Sequence, residues 1–335
     1  MQQMDSTSRQ PTRGHESREA PRLRLGVSSC LLGEKVRFNG DHKRDRFVTD
    51  VLSRYIEWVP VCPEFEMGLG APRESMRLVG DAADPRLIAP ASGTDHTAAM
   101  KRFVRERLRT LTDAGLHGFI VKKDSPTCGM TRVRIWHEGG GGNERKGTGL
   151  FTGALLDRLS LLPVEEEGRL HDPKLRENFI ERIFAYWRWT EFLANQPRRG
   201  DLVRFHTTHK LSLRAHGEKQ YRELGRLVAD LKGRPLRDAL AAYGDGFMAA
   251  LRLIATPSKH ANVLYHMLGY LKRDLDGADR QELVERIEEY RNGHVPLIVP
   301  LTLFQHHFRR HPVDWIVEQT YLAPYPAELM LRNHV

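Results

Sequence analysis

The stretch LRLGVSSCLLG, residues 23–33, decides the fold of the N-terminal half of this chain. Its apolar start, LRLGV, predicts a buried β-strand, and the two serines that follow predict a turn into a loop. Cys30 therefore lies just beyond the carboxyl end of that strand. Helical patterns such as TAAMKRFVRERLRTLTDAG, residues 97–115, alternate with further short β-rich stretches. This alternation predicts an α/β domain with a mostly parallel sheet.

Two later stretches repeat the arrangement of a strand that ends at a cysteine. WVPVC, residues 58–62, ends at Cys62, and GFIVKKDSPTC, residues 118–128, ends at Cys128. Ligands bind at the carboxyl ends of the strands in an open α/β sheet. We therefore expect the three cysteines to meet at one site.

These three cysteines are the only ones in 335 residues, and an odd number excludes a fully paired set of disulfides. Taken singly, each could be a buried side chain of the core. Taken together, three thiolates from separate loops suit a metal or cluster that keeps one coordination position open for substrate. No two of them have the close spacing of a C-x-x-C zinc site.

Composition and charge restrict the class of protein. The formal net charge is +9 and the pI is about 9.6, which favours a polyanion such as nucleic acid as a partner. No apolar stretch is long enough to predict a membrane span. Residues 1–22 are polar and basic without an apolar core, so they predict a disordered tail rather than a secretion signal. Free thiols without such a signal predict a cytoplasmic protein.

The alternation of strands and helices ends near residues 163–168, and the sequence from residue 172 onward predicts helices. We therefore expect an α/β domain over residues 23–165 and an all-α domain over residues 170–330. The stretch NQPRRGD, residues 195–201, resembles a linker. Helices are expected over 175–195, 201–232, 235–255, 257–275, 278–293 and 298–309.

Three motifs carry a resemblance to a known family. They are SSCLLG followed by VRFNG, residues 28–40; CPE followed by GL and PR, residues 62–73; and SPTCG, residues 125–129. Residues 23–160 thereby resemble the thiouracil and thiouridine desulfidase family. Residues 200–325 resemble the helical domain, long of unknown function, that is fused to this desulfidase domain in many bacterial proteins. Two-domain members resemble tRNA 4-thiouridine desulfidases.

This resemblance implies a chemistry. Cys30, Cys62 and Cys128 would hold a [4Fe-4S] cluster whose fourth iron is open to the sulfur of the substrate. Glu64 would be the general acid/base, and Ser125 would position the water or the base. The alternatives are a salt-bridging or helix-capping role for Glu64 and a turn-capping role for Ser125. Glu66 is a second carboxylate that could share the acid/base work.

Four further residues are candidates for substrate binding. They are Ser29, Asn39, Asp41 and Arg73. The family's usual tyrosine–aspartate–glycine run is Phe38-Asn39-Gly40 here, so position 39 carries no carboxylate. Arg73 could hold a phosphate or pair with Glu64. Turn formation around Gly40 is the alternative for Asn39 and Asp41.

The basic residues of the helical half suggest contacts with tRNA, with Arg204, Lys210 and Lys259 as candidates. For its histidines, RNA contact or core packing is a better interpretation than metal binding. The expected partner is tRNA or a thiolated nucleotide, and the oligomeric state stays open. Two alternatives remain: a desulfidase of free thiobases with an oligomerising helical domain, and a non-catalytic RNA-binding or redox-sensing iron–sulfur protein.

Overall fold

The structure is a computed structural model, and it describes residues 23–335. The tail expected over residues 1–22 lies outside the described residues. The elements of the N-terminal half are β1 (Leu23–Ser28), β2 (Ile56–Val61), β3 (Arg77–Val79), β4 (Arg86–Ile88), α1 (Thr97–Asp113), β5 (Gly118–Val121), β6 (Val133–Trp136), β7 (Asn143–Gly147), α2 (Leu150–Arg158) and β8 (Val164–Glu166).

Four of these strands form the central sheet in the order β2-β1-β5-β8, and every pair in it is parallel. Strand β1 is buried along nearly its whole length, as its apolar sequence predicts. The expectation of an α/β domain with a mostly parallel sheet is confirmed. Since all four strands run in one direction, their carboxyl ends share one edge of the sheet.

The other four strands form a second sheet in the order β4-β3-β6-β7, which the sequence did not predict. Its outer pairs are antiparallel, and its central pair, β3 with β6, is parallel. The glycines of residues 139–142 make the turn between β6 and β7, and all four have positive φ. Only glycine adopts four such angles in succession without strain.

The second half is helical, as expected. Its elements are α3 (Pro173–Ala194), α4 (Arg199–Thr208), α5 (Lys210–His216), α6 (Glu218–Ala229), α7 (Leu236–Leu251), α8 (Pro257–Leu271), α9 (Gly277–Arg291), α10 (Ile298–Arg310) and the single turn α11 (Asp314–Val317). Asp172 caps α3 by accepting hydrogen bonds from two backbone N–H groups of its first turn. Among these helices none has the length and apolar character required to cross a bilayer.

Two details differ from the expected helices. The single helix expected over residues 201–232 is divided into three helices, because the helical conformation is interrupted at His209 and again at Gly217. The His209 ring bonds the carbonyl of Phe205, and Gly217 has an extended backbone between α5 and α6. The linker expected over residues 195–201 is shorter than its sequence suggests, since α4 already begins at Arg199.

Helix α3 packs in both halves of the molecule. Its residues Phe179, Ile180 and Ile183 lie in the core that covers β1 of the central sheet. Leu329 and Leu331, near the end of the chain, belong to the same core. Further along α3, residue Trp189 is buried in the aromatic core of the helical half. The two halves are therefore joined by a continuous helix and by a shared apolar core.

Candidate active site

The three cysteines are placed at the carboxyl edge of the central sheet by three separate loops. Cys30 lies in a 3-10 turn that begins directly after β1, and Cys62 is the residue that follows β2. Cys128 lies in the loop after β5. All three line one cavity of about 400 Å³. The sequence-based expectation that they share one edge of the sheet is thus the observed arrangement.

Glu64 also lines this cavity, and its carboxylate is held on both oxygens. The Arg73 guanidinium donates through Nε and Nη2 to Oε2, with an Nε–Oε2 distance of 3.0 Å. The Thr127 hydroxyl donates to Oε1 at 2.9 Å. Arg73 also donates through Nη1 to the carbonyls of Val36 and Gly70. Of the two roles expected for Arg73, the pair with Glu64 is therefore the one present.

Ser125 lines the cavity, and its hydroxyl caps the loop that carries Cys128. Its Oγ accepts hydrogen bonds from the backbone N–H groups of Thr127 and Cys128, at 3.2 and 3.1 Å. It also lies 3.1 Å from the Thr127 hydroxyl. The serine is thus connected through Thr127 to the Glu64 carboxylate.

Glu66 lies outside the residues that line the cavity. One of its carboxylate oxygens accepts the backbone N–H of Cys62 at 2.8 Å, and the other pairs with Arg107 on α1 at 2.9 Å. This carboxylate therefore supports the loop around Cys62. Glu64 is the carboxylate that faces the cavity.

The comparisons with known proteins fit this geometry. A family model described as 2-thiouracil desulfurase matches residues 25–167, and a model described as a protein of unknown function, DUF1722, matches residues 210–326. The uncharacterized protein YbgA of Escherichia coli (strain K12) is 34% identical over 158 residues, which are 47% of this chain and 94% of YbgA. The chain belongs to the 2-thiouracil desulfurase and DUF1722 families.

Two further similarities cover the length of one domain. The uncharacterized protein YbbK of Bacillus subtilis (strain 168) is 29% identical over 145 residues, 42% of this chain and 93% of YbbK. A solved structure titled [4Fe-4S]-dependent thiouracil desulfidase TudS is 30% identical and covers 45% of this chain and 94% of its own, with a TM-score of 0.36. We refer below to residues 23–167 as the desulfurase domain and to the whole helical half from residue 173 onward as the DUF1722 domain.

The thiols of the desulfurase domain are held in a buried environment. Burial raises the pKa of Cys30 and of Cys128 to about 12, and it also raises the pKa of Cys62. Such thiols stay protonated at neutral pH unless a bound cation stabilises the thiolate. The Thr127 hydroxyl lies 3.6 Å from the Cys128 sulfur, and the Cys62 thiol lies 3.7 Å from the carbonyl of Val36.

The donor set fits an iron–sulfur cluster better than a single metal ion. Within residues 23–335, no three His, Cys, Asp or Glu side chains are close enough together to hold one metal ion. A cluster places each cysteine on a different iron, so its three sulfurs need to surround a volume rather than meet at a point. Three thiols from separate loops line one cavity, which is the kind of arrangement that a cluster requires.

The remaining substrate-binding candidates of the desulfurase domain separate into two groups. Ser29 is buried and lines the cavity. The structure does not bring Asn39 and Asp41 to the cavity wall, where Arg37 and Phe38 lie instead. The Asn39 side chain accepts the N–H of Asp41, as expected of a turn around Gly40.

Two further side chains at the cavity, Thr127 and Lys122, were not predicted from the sequence. Thr127 lies within the SPTC motif, and only the tertiary structure shows its contact with Glu64. Lys122 lines the cavity and pairs with the buried carboxylate of Glu167, whose other oxygen accepts the backbone N–H of Lys123. The run of three glutamates, residues 165–167, which begins within β8, was a signal for this buried pair, since buried carboxylates require partners.

The RNA-binding candidates of the helical half lie away from the cavity wall. Arg204 is 76% exposed in its side chain and lies 3.7 Å from Glu318. Lys210 is the first residue of α5. The ammonium of Lys259 donates to the carbonyls of His216 and Ile254, at 2.7 and 3.2 Å. It thus connects the end of α5 with the loop between α7 and α8.

The histidines of the DUF1722 domain support the core-packing interpretation. His206, His209 and His260 are buried, and His260 bonds the Tyr321 hydroxyl at 2.9 Å. His206 bonds the Tyr243 hydroxyl, and the His209 ring stacks on Phe205. These rings therefore pack within the domain.

Proposed function

We propose that this protein is an iron–sulfur-dependent, non-redox desulfidase that converts 4-thiouridine, in tRNA, to uridine and hydrogen sulfide. The net change is the replacement of C=S by C=O with one water consumed and one H₂S released, so no oxidant or reductant is required. The observation that carries the proposal is the placement of all three cysteines around one cavity that also contains a fixed carboxylate.

Cys30, Cys62 and Cys128 are the residues that would hold the cluster. When bound, a [4Fe-4S] cluster with an open iron supplies a soft Lewis acid for the thiocarbonyl sulfur.

Glu64 is suited to the proton transfers of this reaction. Each of its oxygens is already oriented, Oε2 by Arg73 and Oε1 by Thr127. A carboxylate oxygen has two lone-pair directions, so Oε1 can still accept a proton from a water molecule in the cavity. The carboxyl formed in this way can return the proton to a ring nitrogen or to the departing sulfur. Both steps are general acid/base catalysis by one positioned group.

The proposed substrate class follows from charge and cavity size. A cavity of about 400 Å³ can take a single nucleotide but no base-paired helix, so the base must be unpaired or flipped. The net charge of +9 favours a polyanionic substrate. Arg204 and Lys210 of the DUF1722 domain are the proposed contacts with the tRNA backbone, and electrostatic attraction to phosphates supplies most of the affinity.

The test is an anaerobic assay of the full chain after reconstitution with iron and sulfide. Sulfide release and loss of the thiouridine chromophore are measured with thiolated tRNA, with 4-thiouridine monophosphate and with thiouracil. Replacing any one cysteine by serine is expected to abolish both cluster incorporation and turnover. A cysteine variant that retains full iron and full turnover would contradict the proposal.

The same assay separates the alternatives. Turnover of free thiobases without preference for tRNA would favour the free-base desulfidase. A bound cluster and tRNA affinity without sulfide release would favour a non-catalytic protein. The Arg204→Ala/Lys210→Ala double variant is expected to lower tRNA affinity while leaving cluster content unchanged, with a reduced dependence of affinity on salt.

A further inference from the structure

The outer wall of the cavity carries three basic side chains. Arg37, Lys43 and Lys123 all line the cavity, and none of them forms an ion pair with a carboxylate of residues 23–335. The carboxylates of the wall are already neutralised: Glu64 by Arg73, and Asp124 by Arg145 at 2.9 Å. The opening is therefore positively charged, while the buried floor holds the thiols.

Phe38 adds an exposed aromatic ring to the same wall. The residue is 42% exposed although it lines the cavity, so it lies at the opening rather than on the floor. The guanidinium of Arg37 lies over the ring, 5.5 Å from its centroid. The exposed part of the ring is left for a second planar partner. Exposed aromatic rings beside cations are the arrangement by which proteins hold single-stranded nucleic acid.

We propose that this rim, formed by Arg37, Phe38, Lys43 and Lys123, binds the nucleotide next to the reacting one in a single-stranded segment. Phe38 stacks on the base of that neighbour, and the two lysines contact the phosphates that flank the reacting nucleotide. The proposal rests on the proposed desulfidase function and deepens it. It assigns recognition of the nucleic acid to the desulfurase domain itself, in addition to the DUF1722 domain.

The difference in exposure between the cysteines and the lysines of the wall supports this division of contacts. The reacting sulfur must reach the group that the three cysteines of the floor would hold, so the rest of its base is enclosed by the inner wall. The sugar and phosphates then lie at the opening, where Lys43 and Lys123 are exposed. A chain that leaves the opening passes the ring of Phe38, and any base can stack there because every base has a flat face.

The first test compares three substrates on the full chain: 4-thiouridine, its 5′-monophosphate, and a short oligouridylate with one internal 4-thiouridine. For Phe38→Leu, the ratio of kcat/KM on the oligonucleotide to kcat/KM on the nucleoside is expected to fall about tenfold, the usual size of one lost base stack. Phe38→Trp restores an aromatic surface and is expected to recover the ratio. Phe65→Leu is the matched control, since Phe65 is 45% exposed but lies outside the cavity wall.

The second test concerns the phosphates. The Lys43→Ala/Lys123→Ala double variant is expected to raise KM for the monophosphate and the oligonucleotide relative to the nucleoside. The slope of log affinity against log salt should become shallower by about 1 for each phosphate contact that is lost. Lys35→Ala, an exposed lysine of the same loop that does not line the cavity, is the matched control.

The outcomes that overturn the inference differ from those that overturn the proposed function. An unchanged substrate ratio in Phe38→Leu, or an equal loss on all three substrates, removes the stacking role. If the wild-type chain turns over none of the substrates, the desulfidase function fails. Fluorescence anisotropy with unmodified oligouridylate then still tests the rim: weaker binding by the two variants supports it, and unchanged binding refutes it.

Discussion

At the scale of single residues, the site is defined by how one carboxylate is fixed. The position of Glu64 two residues after Cys62 made it a candidate from the sequence alone. Arg73 was considered as a partner from the sequence, as an alternative to phosphate binding, whereas Thr127 comes from a different loop and its contact with Glu64 is seen only in the folded chain. The same limit applies to Glu66, which looks equivalent in the sequence but bonds the Cys62 backbone and Arg107.

Replacing Glu64 by Gln should leave cluster incorporation intact and lower kcat by about 10²-fold or more, since the amide cannot accept the proton. Iron content and sulfide release on the same sample check this. Glu66→Gln is the matched control, because its amide oxygen can still accept the N–H of Cys62. A normal kcat in Glu64→Gln combined with a large loss in Glu66→Gln would transfer the acid/base role to Glu66.

Thr127→Val removes the hydroxyl that bonds Glu64 while keeping the shape of a buried side chain. A hydrogen bond to a charged group contributes about 1.5–3 kcal/mol, so kcat per bound cluster should fall roughly tenfold or more. Thr127→Ser should recover most of it. Unchanged kcat in Thr127→Val would show that Arg73 alone positions the carboxylate.

Ser125→Ala, in contrast, should lower the amount of bound iron, because it removes the cap of the Cys128 loop.

At the scale of elements, the strands of the central sheet were predictable because they are apolar and each ends at a cysteine. The second sheet was missed because its strands have three to five residues and one of them, NERKG in β7, is almost entirely polar. Such strands have no periodicity that distinguishes them from loops. The three-helix division of residues 201–232 was missed because apolar residues recur with a helical period on both sides of His209 and Gly217.

The N-terminus of α2 supports the loop of Cys128 through Gly149. A Cβ atom at this position would collide with the Thr127 carbonyl and lie 2.8 Å from the Cys128 backbone nitrogen. Gly149→Ala should therefore displace the loop, lower the free energy of unfolding by about 1–3 kcal/mol and reduce bound iron. Gly153→Ala, one turn further along α2, meets nothing closer than 3.8 Å and should retain iron. Denaturant titration and iron analysis measure both; equal iron in the two variants would contradict the support role.

At the scale of the whole molecule, the change from an α/β to a helical pattern was predictable from the sequence, but the way in which the two halves are joined was not. The apolar residues of α3 have the pattern of any amphipathic helix, so nothing in them says that they cover the central sheet. The same holds for Leu329 and Leu331. Contacts between residues that lie more than a hundred positions apart are set by the tertiary structure, and a single sequence does not display them.

The stability of the DUF1722 domain should fall as the pH decreases from about 6.5 to 4. Burial lowers the pKa of His206 to about 4 and that of His209 and His260 to about 3, with additional repulsion from Lys210, Arg188 and Arg332 respectively. In this window the unfolded chain binds protons that the folded chain excludes, so each histidine contributes up to about 1.4 kcal/mol of destabilisation per pH unit.

Three other buried groups, His216, Glu181 and Glu177, also have shifted pKa values. The His216 imidazolium lowers the pKa of Glu181 despite its burial, so that pair stays intact in this window. Burial raises the pKa of Glu177, which opposes the trend, but it is one carboxyl against three histidines. Denaturant unfolding at several pH values measures the slope, and His209→Gln should make it shallower. Stability that stays constant from pH 6.5 to 4 would refute this account.

The shared core also has a consequence for how the chain is made. Leu331 is synthesised about 165 residues after β8, and at 5–20 residues per second this interval lasts on the order of 10–30 s. During that time the face of the central sheet that α3 and Leu331 will cover is incomplete. Cys30 has then already been synthesised, while the core that contains it still lacks α3 and Leu331. The core around Cys30 is therefore completed only after the helical half has been synthesised.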